Sequence, residues 1–131
     1  MRSILMGALC AGSTGAVAGI VAIVNNANSS ADKQTIGKLY SGEIKSWPDG
    51  TPAKLFDLSG LNEREEFCKA YTGKNAAAIK SAWAKAVFTG RATPPKMLDS
   101  DIDVKNEVAK DRKAVGYVNE SSVDGSVRAV R

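Results

Sequence analysis

Three short apolar runs constrain this chain more than any other feature: Ile20–Val24 ("IVAIV"), residues 53–58 and residues 114–118 ("AVGYV"). Each has strand length, and stretches with helical spacing separate them. The first is continuously apolar and bounded by "NNANSS", which suits a strand buried on both faces of a sheet. A fourth run at 127–130 reads as a last strand, and Lys96–Leu98 as a short strand or a loop.

The intervening stretches carry helix signals. Ser29 or Ser30 stands as N-cap before Ile36, Leu39 and Tyr40, and Gly42 ends that helix. Pro48-Asp49-Gly50 is a turn, combining a fixed φ, a side chain that bonds its own backbone and a free φ. Asn62 and Glu65 have capping-box spacing ahead of Phe67, Cys68 and Tyr71, and Gly73 closes the helix of roughly 62–72. Asn75 caps "AAAIKSAWAKAVF", whose Ile79, Trp83, Val87 and alanines are expected to face the core. Ser100 opens a further helix with Asp101 and Asp103 in its first turn and Val104 and Val108 on one face. The order β-α-β-α-α-α-β-β predicts an α/β fold, a mainly parallel sheet in a three-layer α/β/α sandwich. Asp124-Gly125 predicts a tight turn that makes the last two strands antiparallel. At 131 residues the chain has room for one core and not two.

The first eighteen residues differ from the rest. Arg2 is the only charge before Asp32, an apolar stretch follows, and Ala16-Val17-Ala18 offers small residues for cleavage. These are the three parts of a secretory signal peptide over 1–18, leaving 19–131 as the mature domain in the periplasm or outside the cell. A membrane-spanning helix over 4–24 is long enough, but Gly7, Gly12, Ser13, Thr14 and Gly15 make it a poor one. Lipid attachment at Cys10 would place bulky Leu9 where a small side chain is wanted. Cleavage removes Cys10 and leaves Cys68, which cannot form an internal disulfide alone and reads as a buried small hydrophobe.

Several chemistries are excluded. The chain has no His and two Cys, so neither a usual zinc site nor a Ser/His or Cys/His nucleophile can be built. It carries no P-loop, GxGxxG or GxSxG. The expectation is therefore a protein with no catalytic residues, no cofactor and no metal. The formal charge of +4 is spread without a basic stripe, which argues against nucleic acid. In a parallel α/β sheet ligands bind beyond the carboxyl ends of the strands, which points to "NNANSS" and "DLSGLN". Within them Ser29, Ser30, Ser59, Gly60, Leu61 and Asn62 are the candidate ligand contacts. A strand, a Gly-containing turn and a helix N-terminus converge at the second, the makings of an anion site. The plainer alternative is that Ser59 and Gly60 form the turn and Asn62 caps the helix.

"TIGKLYSGEIKSW", "AKLFDLSGLNEREEF" and "KAVGYVNESSVDGSVRAV", in that order, resemble the substrate-binding proteins of phosphate ABC transporters. The matching features are Gly42-Glu43-Ile44-Lys45-Ser46-Trp47, the strand-turn-helix after it and Gly116-Tyr117-Val118. Val24-Asn25-Asn26-Ala27-Asn28 is similar to the mature start of short, single-domain members. The resemblance covers nearly all of the chain beyond residue 18. It implies one lobe of a type 2 periplasmic-binding-protein fold, with phosphate or a similar small oxyanion as ligand and a link to phosphate transport. Only Gly60 of the family's phosphate loop is retained: Asp57 stands at its Arg, Ser59 at its Asp, and Leu61, Asn62 and Glu63 at its Ser, Gly and Thr. Asp57 would repel the anion that an Arg would hold. An accessory protein of the envelope, using the lobe to bind a protein partner or a second copy, is the alternative expectation.

Overall fold

The computed structural model describes residues 19–90 and 93–131, so the signal-peptide reading of 1–18, with Arg2 and Cys10, lies outside the described residues. The strands are β1 (Ile20–Val24), β2 (Lys54–Leu58), β3 (Lys96–Leu98), β4 (Ala114–Asn119) and β5 (Arg128–Val130). The helices are α1 (Lys33–Tyr40), α2 (Leu61–Thr72), α3 (Ala76–Phe88) and α4 (Asp101–Lys110), and a short 3-10 turn covers Glu120–Ser122.

The strands form one sheet in the order β3-β2-β4-β1-β5. β3, β2 and β4 run parallel to one another, as expected. β1 runs against them. It pairs antiparallel with β4 (Ile20 opposite Asn119, Val24 opposite Val115) and antiparallel with β5 (Val24 opposite Arg128). The expected antiparallel β4–β5 neighbours are thus a correction: β1 lies between them, and residues 120–127, with the Asp124 turn, return the chain from the Ile20 end of β1 to its Val24 end. Asp124 fixes that turn by accepting from the Ser126 backbone N–H at 2.9 Å.

Side-chain alternation along β4 sets the layers. Gly116 faces α4, so closely that a Cβ there would run into Val104. Tyr117 faces the other way and stacks on Phe67 of α2, ring centroids 4.1 Å apart. Phe67 also stacks on Tyr71 at 4.7 Å and meets Tyr40 of α1 edge-on at 4.7 Å. The three-layer sandwich follows: α4 on one face, α1 and α2 on the other.

Pairing between β2 and β4 covers only Lys54–Ala114 and Leu55–Val115. Beyond it, tyrosine hydroxyls meet the backbone groups that a ladder would otherwise satisfy. Tyr40 Oη lies 2.6 Å from the Phe56 carbonyl and 3.1 Å from that of Val115, and its one proton serves these two acceptors. Tyr117 Oη accepts from Leu58 N–H at 3.1 Å and donates to Asp57 Oδ1 at 2.8 Å. Between β1 and β5, Tyr71 Oη likewise accepts from Ala22 N–H at 3.0 Å and donates to the Val130 carbonyl.

Most helix ends agree with the sequence reading. Asn75 caps α3 and Ser100 caps α4. α1 closes through Gly42 at φ 83°, with Gly42 N–H on Leu39 O and Glu43 N–H on Lys38 O, the two bonds of a Schellman motif. The cap of α1 is Asp32, which accepts from Thr35 N–H at 2.7 Å, and not Ser29 or Ser30. Val87, expected in the core, is 42% exposed; Ala86 is buried in its place beside Ile79. The last turn of α3 thus turns its bulky side chains outward. Trp83 remains half-buried and donates its indole N–H to the Tyr40 carbonyl at 2.7 Å.

Candidate functional site

Because β1 is antiparallel, its carboxyl end lies level with the amino ends of β2 and β4. The two candidate loops therefore sit at opposite ends of the sheet. Ser29 and Ser30 cannot share a site with Ser59, Gly60, Leu61 and Asn62.

The loop after β1 is held by its own asparagines. Asn25 Nδ2 donates to the carbonyls of Val108 and Ala109 at 2.9 Å each, tying the loop to the end of α4. Asn26 Nδ2 reaches Gly125 O at 2.9 Å. Buried Asn28 accepts from Ser30 N–H and Oγ, and its carbonyl receives the Arg128 guanidinium. Ser30 is thereby committed, and Ser29 is exposed.

The loop after β2 is more open. Ser59 N–H donates to Leu98 O at 2.9 Å, tying the loop to β3, while Ser59, Leu61 and Asn62 are exposed. The N-cap of α2 is Gly60, extended at φ −69° and ψ 128° and lacking a side chain to accept from the first-turn amides. Asn62 lies inside the helix, so the expected capping box with Glu65 is absent. Glu65 Oε1 instead accepts from Ala76 N–H at 3.0 Å, joining α2 to α3. The acid at the start of α2 is Glu63, whose carboxylate folds back over Gly60 and fills the space a Cβ would take. A negative group at this end of a helix is favourable by about 0.3–1 kcal/mol. An anion arriving here meets a carboxylate of the chain's own.

Behind that loop, Asp57 is largely buried. Burial pushes its carboxyl above the usual range, and the Tyr117 hydroxyl and the Arg64 guanidinium oppose the rise. Arg64 was not visible as a candidate in the sequence. Its signal was present, since it stands four residues before Cys68 and three before Phe67, on the buried face of α2. Burial also pushes the Cys68 thiol up to about 11, so it is a neutral thiol at pH 7. Among the described residues no group of His, Cys, Asp and Glu could hold a metal ion.

No protein-family model matches the chain, and no curated protein sequence does. Its fold is similar to solved structures. One, from Clostridium perfringens, is described as a phosphate ABC transporter substrate-binding protein with bound phosphate (TM-score 0.65, 21% identity, 87% of this chain and 44% of that one). Others are an ABC-type phosphate transport receptor from Vibrio cholerae (0.58, 20%, 87% and 46%) and a possible phosphate binding protein from Planctomyces limnophilus (0.61, 14%, 87% and 41%). The chain spans less than half the length of these proteins. At such identities the likeness establishes the fold alone: an α/β sandwich like part of each of these chains.

Proposed function

We propose that this chain is an exported, non-enzymatic solute-binding domain that takes phosphate or a similar small oxyanion at Ser59, Gly60, Leu61 and Asn62. The start of α2 carries the reading: a glycine N-cap, exposed neighbours and the positive end of a helix dipole, with Glu63 folded over it. The fold shared with proteins described as phosphate binders supports the ligand class. The same likeness, with the signal-like residues 1–18, supports a periplasmic setting and a link to phosphate transport. The lack of His in the whole sequence supports a binding rather than catalytic role.

Glu63 acts as a built-in competitor, because phosphate must displace its carboxylate from the helix end. Titration calorimetry with inorganic phosphate tests this. Wild type is expected to bind in the millimolar range, and Glu63→Gln about tenfold more tightly, a gain of about 1.4 kcal/mol. Absence of heat in both proteins rejects the oxyanion reading.

A second reading, a protein partner of the envelope or a second copy of the chain, is favoured by one observation. The end of α3 exposes Phe88 at 91% beside Val87. Light scattering of wild type against Phe88→Ser decides it for the second copy: a monomer in both removes self-association.

A further inference from the structure

We propose a second binding site, separate from the start of α2, that accepts a small monocarboxylate with an apolar body. A cavity of about 360 Å³ lies beneath α2 and α3 against β2 and β3, lined among others by Asp57, Arg64, Cys68, Lys80, Trp83 and Met97. Its volume is at the small end of ligand pockets, which run from ~300 to ~1,000 Å³.

Arg64 inside the cavity and Lys80 at its exposed rim are cations, Asp57 is its anion, and Cys68 is protonated. Arg64 acts on the Asp57 carboxylate through space without a hydrogen bond to it. Arg64 Nε is buried with no hydrogen-bond partner, and among the described residues the guanidinium makes no ion pair. A buried donor of a charged group left unmet is costly. Asp57 is already engaged by the Tyr117 hydroxyl at 2.8 Å.

One negative group completes this arrangement. A carboxylate matches the planar guanidinium fork and brings a single charge. A dianionic phosphate brings twice that charge. The remaining walls, Ile79, Trp83, Pro94, Pro95 and Met97, are apolar and suit a ring or a short alkyl chain. The site owes nothing to helix-end amides, which separates it from the oxyanion site both in place and in chemistry.

Benzoate is the probe, followed in nitrogen–proton spectra of the labelled protein. Benzoate is expected to shift the Trp83 indole signal with saturation at millimolar concentration and to leave the amides of Asn62 and Glu63 in place. Benzyl alcohol, of the same shape without the charge, is expected to bind at least tenfold more weakly. Arg64→Met should weaken benzoate at least tenfold. Lys80→Met, an exposed position that leaves the fold alone, should weaken it severalfold and keeps the test decisive should Arg64→Met fail to fold. Three outcomes overturn the proposal: no shift at Trp83 in wild type, equal binding of benzyl alcohol, or benzoate affinity unchanged in Lys80→Met and in any Arg64→Met that folds. Because phosphate is read at Asn62 and Glu63 and benzoate at Trp83, either site can fail without the other.

Discussion

Replacing Tyr117 with Phe tests whether a hydroxyl does the work of a missing stretch of sheet. The ring would keep its 4.1 Å stack on Phe67 and nearly all its volume, so apolar burial is unchanged. Two polar groups lose their partner. Leu58 N–H is buried and relies on Tyr117 Oη; leaving such a donor unmet costs about 1–3 kcal/mol. Asp57 loses its hydroxyl donor, and hydrogen bonds to charged groups contribute about 1.5–3 kcal/mol. Part of the second loss returns, because Asp57 is already raised above its ordinary value and can take up a proton. The net expectation is about 2–4 kcal/mol of destabilisation. With a urea slope of about 1–3 kcal/mol/M, the midpoint at pH 7 should fall by about 1–2 M with the slope unchanged. Tyr40→Phe is the comparison. It deprives only carbonyls, which tolerate under-satisfaction better than an amide, so its loss should be about half as large. A Tyr117→Phe loss below about 0.5 kcal/mol, or one smaller than that of Tyr40→Phe, would refute the reasoning.

Gly37→Ala pits helix propensity against contact. Alanine gains about 1 kcal/mol inside α1, but its Cβ would strike the Tyr71 carbonyl of α2, a backbone group that cannot rotate away. Overpacking of about 1–3 kcal/mol should prevail, lowering the calorimetric melting temperature; a rise would show that α1 and α2 do not approach so closely. Asp57→Asn should alter the pH dependence of stability. Burial raises Asp57 in the native state above the usual carboxylate range, so the native state binds its proton more tightly than the unfolded chain. The resulting stability is fully present below the unfolded value and is lost as pH rises through the native one. The midpoint of Asp57→Asn relative to wild type should therefore climb between about pH 4 and 7, and a difference constant across that range counts against it.

The elements were legible in the sequence where local chemistry decides them. The strand at Ile20–Val24, the Asn75 cap and the Gly42 and Gly73 stops depend on a few adjacent residues, and the structure has them. The direction of β1 was not legible, because an apolar run says that a strand is buried and not which way its neighbours run. That one unknown misplaced two of the six candidate residues, since assuming a parallel β1 brings Ser29 and Ser30 to the end where Ser59 and Gly60 lie. Capping at the start of α2 failed for a different reason. Asn62 and Glu65 have the right spacing, but the strand runs to Leu58 and the helix is capped two residues too early for them, at Gly60. Arg64 was hidden by its type, as an arginine among Glu63, Glu65 and Glu66 looks like part of a solvated face.

The central place of β1 has a consequence for how the chain acquires its structure. β1 is made early yet pairs only with β4 and β5, roughly a hundred residues later, so its backbone bonds close the longest loops in the molecule. Loop closure on that scale is slow, and it must wait until residues 114–130 are available. Until then the most apolar strand of the sheet has nothing to pair with, and β2, β3 and the helices between them lack the neighbour that covers them. The domain should therefore fold late and as a whole, with a nascent chain that stays open until its last strands arrive.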